Sequence, residues 1–396
     1  MIQISPETQL FIREHSSDDV RVLALQAKKY PDIDMPTAIT QIAGRKVAAE
    51  KIPSWWEIEK IWYPKHLSLE QCSSEITARY KARLLQGDSL TDLTGGFGID
   101  CSFLATGFKS ATYVERQEEL CEIAAHNFPV LNLNHINIKN EDGVTYLQAM
   151  SPVDCLFLDP ARRNEHGGKT VAISDCEPNV AELEELLLQK ANRVMIKLSP
   201  MLDLSLALKE LKQTQEVHIL SVNNECKELL ILLGQTSPAE ISIHCVNLFT
   251  KGTQKEQHFV FTREQEQCSE CTYTDSLETY LYEPNASLLK AGAFRSIAAA
   301  YPVRKLHPNS HLYTSDTFIE NFPGRIFRIV NQCSFNKKEV KENLADLKKA
   351  NVTVRNFPAT VAELRKRIHL AEGGDTYLFA STLNNGQKVL IRCEKV

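Results

Sequence analysis

The sequence lacks any apolar run long enough to cross a bilayer, so no membrane partner is expected. Its opening residues, Met1-Ile2-Gln3-Ile4-Ser5-Pro6, hold neither a basic stretch nor the apolar core of a secretory leader. Internal repeats and low-complexity tracts are also absent. The 11 cysteines are odd in number and scattered, and several lie inside apolar runs (Cys155, Cys245, Cys393). That usage excludes a disulfide scaffold and suits reduced thiols in a cytoplasm. The one C-x-x-C, Cys268 and Cys271, has no second pair to complete four zinc ligands, so no metal site is expected. Few basic residues interleave with the cluster Trp55, Trp56, Trp62 and Tyr63, which reads as core or an interdomain contact rather than a nucleic-acid stacking surface.

What is present is the composition of a globular protein: 396 residues, 43% hydrophobic and 24% charged. Charge is uneven. From Arg325 to the end there are 14 Lys+Arg against 7 Asp+Glu, while the first 324 residues hold 31 against 43. A basic tail on an acidic body points to a polyanionic partner for the tail.

Periodicity divides the chain into four regions: a helical stretch 1–86, an alternating β/α region 87–235, an α+β connecting region 236–324 and a basic α+β domain 325–396. In the second region strands are expected at 89–93, 111–115, 135–138, 153–158, 193–198, 216–222 and 228–233. Helices fall between most of them. The last two strands are too close for a helical crossover and should pair antiparallel, giving a mostly parallel sheet with one antiparallel strand. Further on, strands are expected at 240–249 and 257–262 and a helix at 285–300. The final domain reads βαβαββ, with helices at 337–350 and 359–370 and a hairpin turn at Asn384-Asn385-Gly386.

The most informative stretch is Thr91-Asp92-Leu93-Thr94-Gly95-Gly96-Phe97-Gly98, a strand running into a loop almost free of side chains and then into a helix. Such a loop lets a ligand approach the backbone and the helix N-terminus. Against the dinucleotide pattern G-x-G-x-x-G, Gly96 and Gly98 fit but the third position is Cys101, and Asp92 and Asp100 sit poorly beside a pyrophosphate. The next strand ends in Glu115, an acid suited to bidentate hydrogen bonding with ribose hydroxyls. This combination resembles the class I S-adenosylmethionine-dependent methyltransferases, whose cofactor has no phosphate.

The resemblance extends over most of the chain. Together with Gln71-Cys72-Ser73-Ser74-Glu75, Asp159-Pro160-Ala161-Arg162-Arg163, Glu283-Pro284-Asn285-Ala286 and Gly373-Gly374-Asp375-Thr376-Tyr377, the glycine loop resembles a bacterial family of class I methyltransferases with a C-terminal THUMP-like domain. That resemblance implies a Rossmann-like α/β sheet, a ferredoxin-like/THUMP-like end domain, S-adenosylmethionine as cofactor and RNA (a tRNA or rRNA base) as substrate. Asp92, Thr94, Gly95, Gly96, Gly98 and Glu115 are then candidates for cofactor binding. Asp142, after the third strand, suits the cofactor's adenine amino group, or else simply caps the next helix.

The fourth strand ends in Asp159-Pro160-Ala161-Arg162, at the edge where such sheets bind ligands. Amino-directed methyltransferases commonly carry Asp or Asn, two prolines and an aromatic residue here. Asp159 and Pro160 keep the first half, whereas Ala161 and Arg162 replace the second proline and the stacking ring. Asp159, Pro160 and Arg162 are the catalytic candidates, and Arg162 and Arg163 are candidates for holding phosphate. The altered motif leaves adenine N6 in doubt as the target and keeps two other readings open: an RNA-binding or regulatory module without catalysis, and a protein or small-molecule methyltransferase. The polar stretch Arg162 to Asp175 reads as a flap, and His166 within it as a solvated side chain rather than a base. The helix from Glu75 could cover the cofactor with Glu75, Thr77 or Lys81, and Lys197 ends the fifth helix-flanked strand near the same edge.

Overall fold

The N-terminal helices start where a side-chain oxygen meets their first free N–H groups. Ser5 caps α1 (Pro6–Glu14), Asp19 caps α2 (Val20–Leu25) and Asp34 caps α3 (Met35–Lys51), accepting from Thr8 N, Arg21 N and Thr37 N at 2.8–3.2 Å. Proline lies in the first turn of α1, of α3 and of α4 (Pro53–Trp56), where a missing N–H removes no helical hydrogen bond. Then come α5 (His66–Gln71) and α6 (Glu75–Ala82). In the computed structural model, which describes residues 4–162, 172–236 and 238–396, the chain divides into two units. One is Met1–Gln215 with Leu229–Pro238; the other is Glu216–Glu228 with Ala239–Val396.

In the first unit, strands and helices alternate: β1 (Ser89–Asp92), α7 (Ile99–Ala105), β2 (Ser110–Glu115), α8 (Glu118–Val130), β3 (Ile136–Asn140), α9 (Gly143–Ala149) and β4 (Val153–Leu158). A small antiparallel pair follows, β5 (Ala161–Arg162) with β6 (Cys176–Glu177), then α10 (Val180–Lys190), β7 (Ala191–Leu198) and α11 (Leu204–Glu210). β8 (Thr214–Val222), which belongs to the second unit from Glu216 on, reverses at Asn223 and Asn224, both with positive φ (50° and 68°), into β9 (Glu225–Gly234), which belongs to the first unit from Leu229 on. The order β9-β7-β4-β1-β2-β3 places β1 centrally; all its pairings are parallel except β7 with β9, which is antiparallel. This is the mostly parallel sheet with one reversed strand that the spacing predicts. Leu156, Phe157 and Leu158 of β4 and Val194, Met195 and Ile196 of β7 are all buried, as a sheet covered on both faces requires.

The N-terminal helices are part of this unit's core. Ile52, Trp55, Ile61, Tyr63 and Ala78 pack with Phe97, Ile99 and Phe103, so the tip of the glycine loop is held by the tryptophan cluster. The Trp55 and Phe97 rings meet edge-on at 5.2 Å, and Trp62 stacks on His126 at 3.7 Å.

In the second unit β8 is joined by β10 (Ser242–Leu248), parallel to it, and β11 (Glu256–Thr262), antiparallel to β10. After α12 (Arg263–Cys268) and β12 (Tyr280–Pro284), the single helix expected over 285–300 is two, α13 (Ala286–Ala291) and α14 (Ser296–Ala300). Gly292 at φ +77° ends the first. The Glu266 carboxylate, accepting from the N–H groups of Phe294, Arg295 and Ser296 at 2.8–3.0 Å, starts the second.

Next come β13 (Arg304–Lys305), β14 (Tyr313–Ser315), β15 (Gly324–Ser334), α15 (Lys337–Leu344), β16 (Lys349–Val354), α16 (Val361–Ile368), β17 (Ala371–Thr382) and β18 (Lys388–Lys395). From β15 onward this is the expected βαβαββ run. It differs at 345–350, where α15 stops early because Lys349 and Ala350 are taken into the ladder with β17. Alternation sorts the faces of β17 and β18. Leu378, Ala380 and Leu390 meet Leu344 and Leu364 of the helices, while Phe379, Val389, Ile391 and Cys393 meet Leu281, Leu306 and Phe327.

Gly44 in α3 tests how tightly the N-terminal helices are set. A Cβ there would lie 2.3 Å from Tyr63 Cβ. Replacing a helical glycine by alanine ordinarily stabilises by about 1 kcal/mol. Gly44→Ala is expected instead to destabilise by about 1–3 kcal/mol through overpacking, read by urea denaturation.

Candidate functional site

The strand β1 ends at Asp92, and the chain turns through Thr94-Gly95-Gly96-Phe97-Gly98 into α7. Gly98 is the N-cap of α7 at φ +85°, a conformation that other residues rarely adopt. The two preceding glycines face opposite ways. A Cβ on Gly95 would lie 2.2 Å from the Tyr113 ring, so Gly95 packs onto β2. Among the described residues a Cβ on Gly96 would meet only the Thr94 carbonyl at 3.8 Å, so Gly96 faces away from them.

Glu115, at the end of β2, lies against this loop. Its Oε2 accepts from Gly96 N at 2.9 Å and its Oε1 from Gln117 N at 2.8 Å. Each carboxylate oxygen has two acceptor directions, so these bonds fix the carboxylate in place and leave capacity for hydroxyl donors. Asp92 is buried. Its Oδ1 accepts from Thr94 N at 3.0 Å, while its Oδ2 has no partner among the described residues. Burial pushes the Asp92 carboxyl up to about 8, with Asp100, Asp159 and Glu115 adding to the rise against the Thr94 N–H.

The carboxyl end of β4 is tied to the same loop. Asp159 N donates to Thr94 Oγ1 at 2.6 Å, and Asp159 Oδ2 pairs with Lys197 Nζ of β7 at 2.6 Å. Pro160 follows and leads into β5. Although 38% of its side chain is exposed, Asp159 is crowded by protein, and this desolvation raises its pKa despite Lys197. Asp142 caps α9, its Oδ1 accepting from Val144 N and Thr145 N at 3.0 Å each. That geometry is the capping alternative, and it uses one of the two oxygens. The described residues do not include 163–171, so Arg163 and His166 lie outside them, as does the side chain of Arg162.

Behind Asp159 is a buried network whose members the sequence does not single out as a group. Lys81 of α6, fully buried, reaches Asp100 Oδ1 at 2.8 Å and Ser73 Oγ at 2.7 Å. Lys197 Nζ also donates to Ser73 Oγ at 3.0 Å and contacts Asp100 Oδ2 at 3.3 Å. Ser73 Oγ in turn donates to Asp100 Oδ2 at 2.7 Å. The hydroxyl thus uses its one donor and both acceptor directions. Burial alone would raise the Asp100 pKa, but Lys81 and Lys197 outweigh it and hold the carboxyl well below its usual range. A lysine inside an otherwise apolar strand (Val194-Met195-Ile196-Lys197-Leu198) and one on a buried helix face are the sequence signals for this group. Glu75 has a different place: its Oε2 accepts from Ser54 N at 2.8 Å, joining α6 to α4, and Thr77 Oγ1 donates to Ser74 O.

The arrangement therefore offers an open glycine backbone, a fixed carboxylate at the end of β2, an unsatisfied buried carboxyl at the end of β1, and an aspartate at the end of β4 held by a lysine. It has the chemistry to receive a cationic, hydroxyl-bearing ligand.

Comparison with known proteins bears on the family and the fold. Residues 280–323 match the family model of a ferredoxin-like domain, and residues 324–395 match that of a THUMP-like domain. A protein of Porphyromonas gingivalis W83, provisionally named a methyltransferase, is similar over 100% of both chains, with 34% identity and a TM-score of 0.88. An rRNA methylase from Streptococcus thermophilus (14% identity, 40% of this chain and 93% of that one, TM-score 0.29) also matches. So does a Streptococcus mutans protein, provisionally named a methyltransferase and solved in complex with SAH (13%, 40% and 96%, 0.30). These two TM-scores are too low to carry an argument. No curated protein matches the sequence. By its full-length likeness to the P. gingivalis protein and its THUMP-like C-terminus, the chain belongs to the class I S-adenosylmethionine-dependent methyltransferase family with a C-terminal THUMP-like domain.

Proposed function

We propose that the chain transfers a methyl group from S-adenosylmethionine to a base of a structured RNA, a tRNA or an rRNA. The observation that carries the cofactor assignment is the buried Asp92 Oδ2, without a partner among the described residues, together with the open backbone of Gly96 and the fixed Glu115 carboxylate on the same glycine loop. An amino-acid ammonium would satisfy Asp92, and ribose hydroxyls would use the remaining acceptor directions of Glu115. Asp142 would serve the adenine amino group through the oxygen that its cap leaves unused. The bound group would supply a methyl carbon made electrophilic by its sulfonium.

The protein's own part is placement. Asp159 accepts a hydrogen bond from the target amino group and aims its lone pair at that carbon. Thr94 Oγ1, bonded to Asp159 N, keeps the carboxyl end of β4 in register with the glycine loop. Lys197 pairs with the Asp159 carboxylate and opposes the burial that raises its pKa. Pro160 stiffens the chain after Asp159. Arg162 and Arg163 hold phosphate, and Arg162 can stack where other amino-directed enzymes carry an aromatic ring. The THUMP-like domain adds a basic surface, including exposed Lys337, Lys338, Lys341, Lys366 and Arg367, for the RNA backbone.

Cofactor binding is checked by thermal shift. SAH should raise the melting temperature of the full chain, and Glu115→Ala should abolish most of that rise. Activity is checked with RNA from a strain lacking this gene. Labelled methyl should enter this RNA and not RNA from the parent strain. Label found in protein or metabolites would favour the third reading, and RNA binding with no transfer the second. Lys197→Met should lower kcat by about 10²–10⁴-fold and move the acidic limb of the pH–rate profile upward, because Asp159 loses its counter-charge. Lys197→Arg should restore part of both.

A further inference from the structure

A second group of ligating side chains lies in the other unit, on the strands β8, β10 and β11. Parallel pairing sets His244 directly opposite His218 and Ser242 opposite Glu216. Side chains two apart on a strand share a face, so Glu216 and His218 of β8 and Ser242 and His244 of β10 form one patch. Antiparallel β11 adds His258 opposite Val246, two residues beyond His244 and on the same face. The imidazoles of His218 and His244 stack at 4.3 Å, His244 Nδ1 lies 3.1 Å from His258 Nε2, and His218 Nε2 lies 3.2 Å from Glu216 Oε2.

We infer that Glu216, His218 and His244 bind one divalent transition-metal ion of the zinc class, with His258 as a fourth ligand. The ligating atoms of the first three all lie within 4.8 Å of one another. In a tetrahedral zinc site with bonds of about 2.0–2.2 Å, neighbouring ligand atoms stand roughly 3.3 Å apart. The Glu216–His218 and His244–His258 distances already have that spacing, and the stacked His218 and His244 rings would have to turn to aim both nitrogens at one ion. His218 is 2% exposed and His244 is partly buried, so the site is built into the sheet rather than scattered over its surface. Two imidazoles with one carboxylate favour zinc, nickel, cobalt or copper over magnesium or calcium, which require oxygen ligands. The ion would clamp three strands that are separated in sequence by up to 42 positions between Glu216 and His258, which is why local spacing gives no metal signature.

The test uses the full chain, stripped with a chelator and titrated with Zn²⁺ against a chromophoric competitor. One Zn²⁺ per chain should bind at micromolar or tighter affinity and raise the melting temperature. Glu216→Gln, nearly isosteric and at a side chain 31% exposed, should weaken binding about tenfold or more without unfolding the protein, and His244→Ala should weaken it further. Exchange of Cys268 and Cys271 for serine should leave the affinity unchanged. The inference is overturned if the stripped chain takes up no Zn²⁺, if both ligand variants bind as tightly as the parent, or if the serine variant is the one that loses the ion.

Discussion

Four carboxylates converge at the carboxyl ends of β1, β2 and β4 and the start of α7, and among the described residues two buried ammonium groups answer them. Lys81 and Lys197 pair with Asp100 and Asp159. Glu115 is held by backbone N–H groups. Among the described residues Asp92 receives one N–H and no cation, and burial, reinforced by Asp100, Asp159 and Glu115, raises its pKa. Burying an anion without a partner is expensive, so such a group neutralises itself or waits for a counter-charge. The rest of the site follows from this constraint. In the proposed reading, a ligand that brings positive charge would let Asp92 ionise.

The N-terminal helices are necessary to that arrangement. Ser73 precedes α6 and Lys81 lies on it, so half of the network behind Asp159 comes from outside the β/α region. The same helices bury Phe97 at the tip of the glycine loop. The helical region is therefore a structural part of the site, which explains why it packs into one unit with the parallel sheet.

Much of this was legible beforehand because it rests on backbone requirements. A loop of three glycines, strands of period two and a reversed strand without room for a crossover depend on local sterics and chain length. The C-terminal βαβαββ run was legible for the same reason. What local pattern could not show was pairing between distant side chains. Ser73, Lys81, Asp100 and Lys197 lie in three separate segments, and nothing nearby in sequence shows that two lysines share one hydroxyl. The two altered helix ends have the same origin. Glu266 starts α14 from almost 30 residues away in sequence, and the ladder with β17 ends α15. Asp142 was ambiguous in sequence because capping and ligand binding use the same side chain, and its cap occupies only one oxygen.

The most direct test of the charge imbalance is the number of protons exchanged when SAH binds, measured by calorimetry at pH 7 in buffers of different ionisation enthalpy. With a carboxyl at about 8 in the free protein, Asp92 is mostly protonated at pH 7 and must ionise to meet an ammonium, so close to one proton should be released per ligand. Asp92→Asn should remove that release. A binding enthalpy that does not vary with buffer, or a net uptake of protons, would contradict the account.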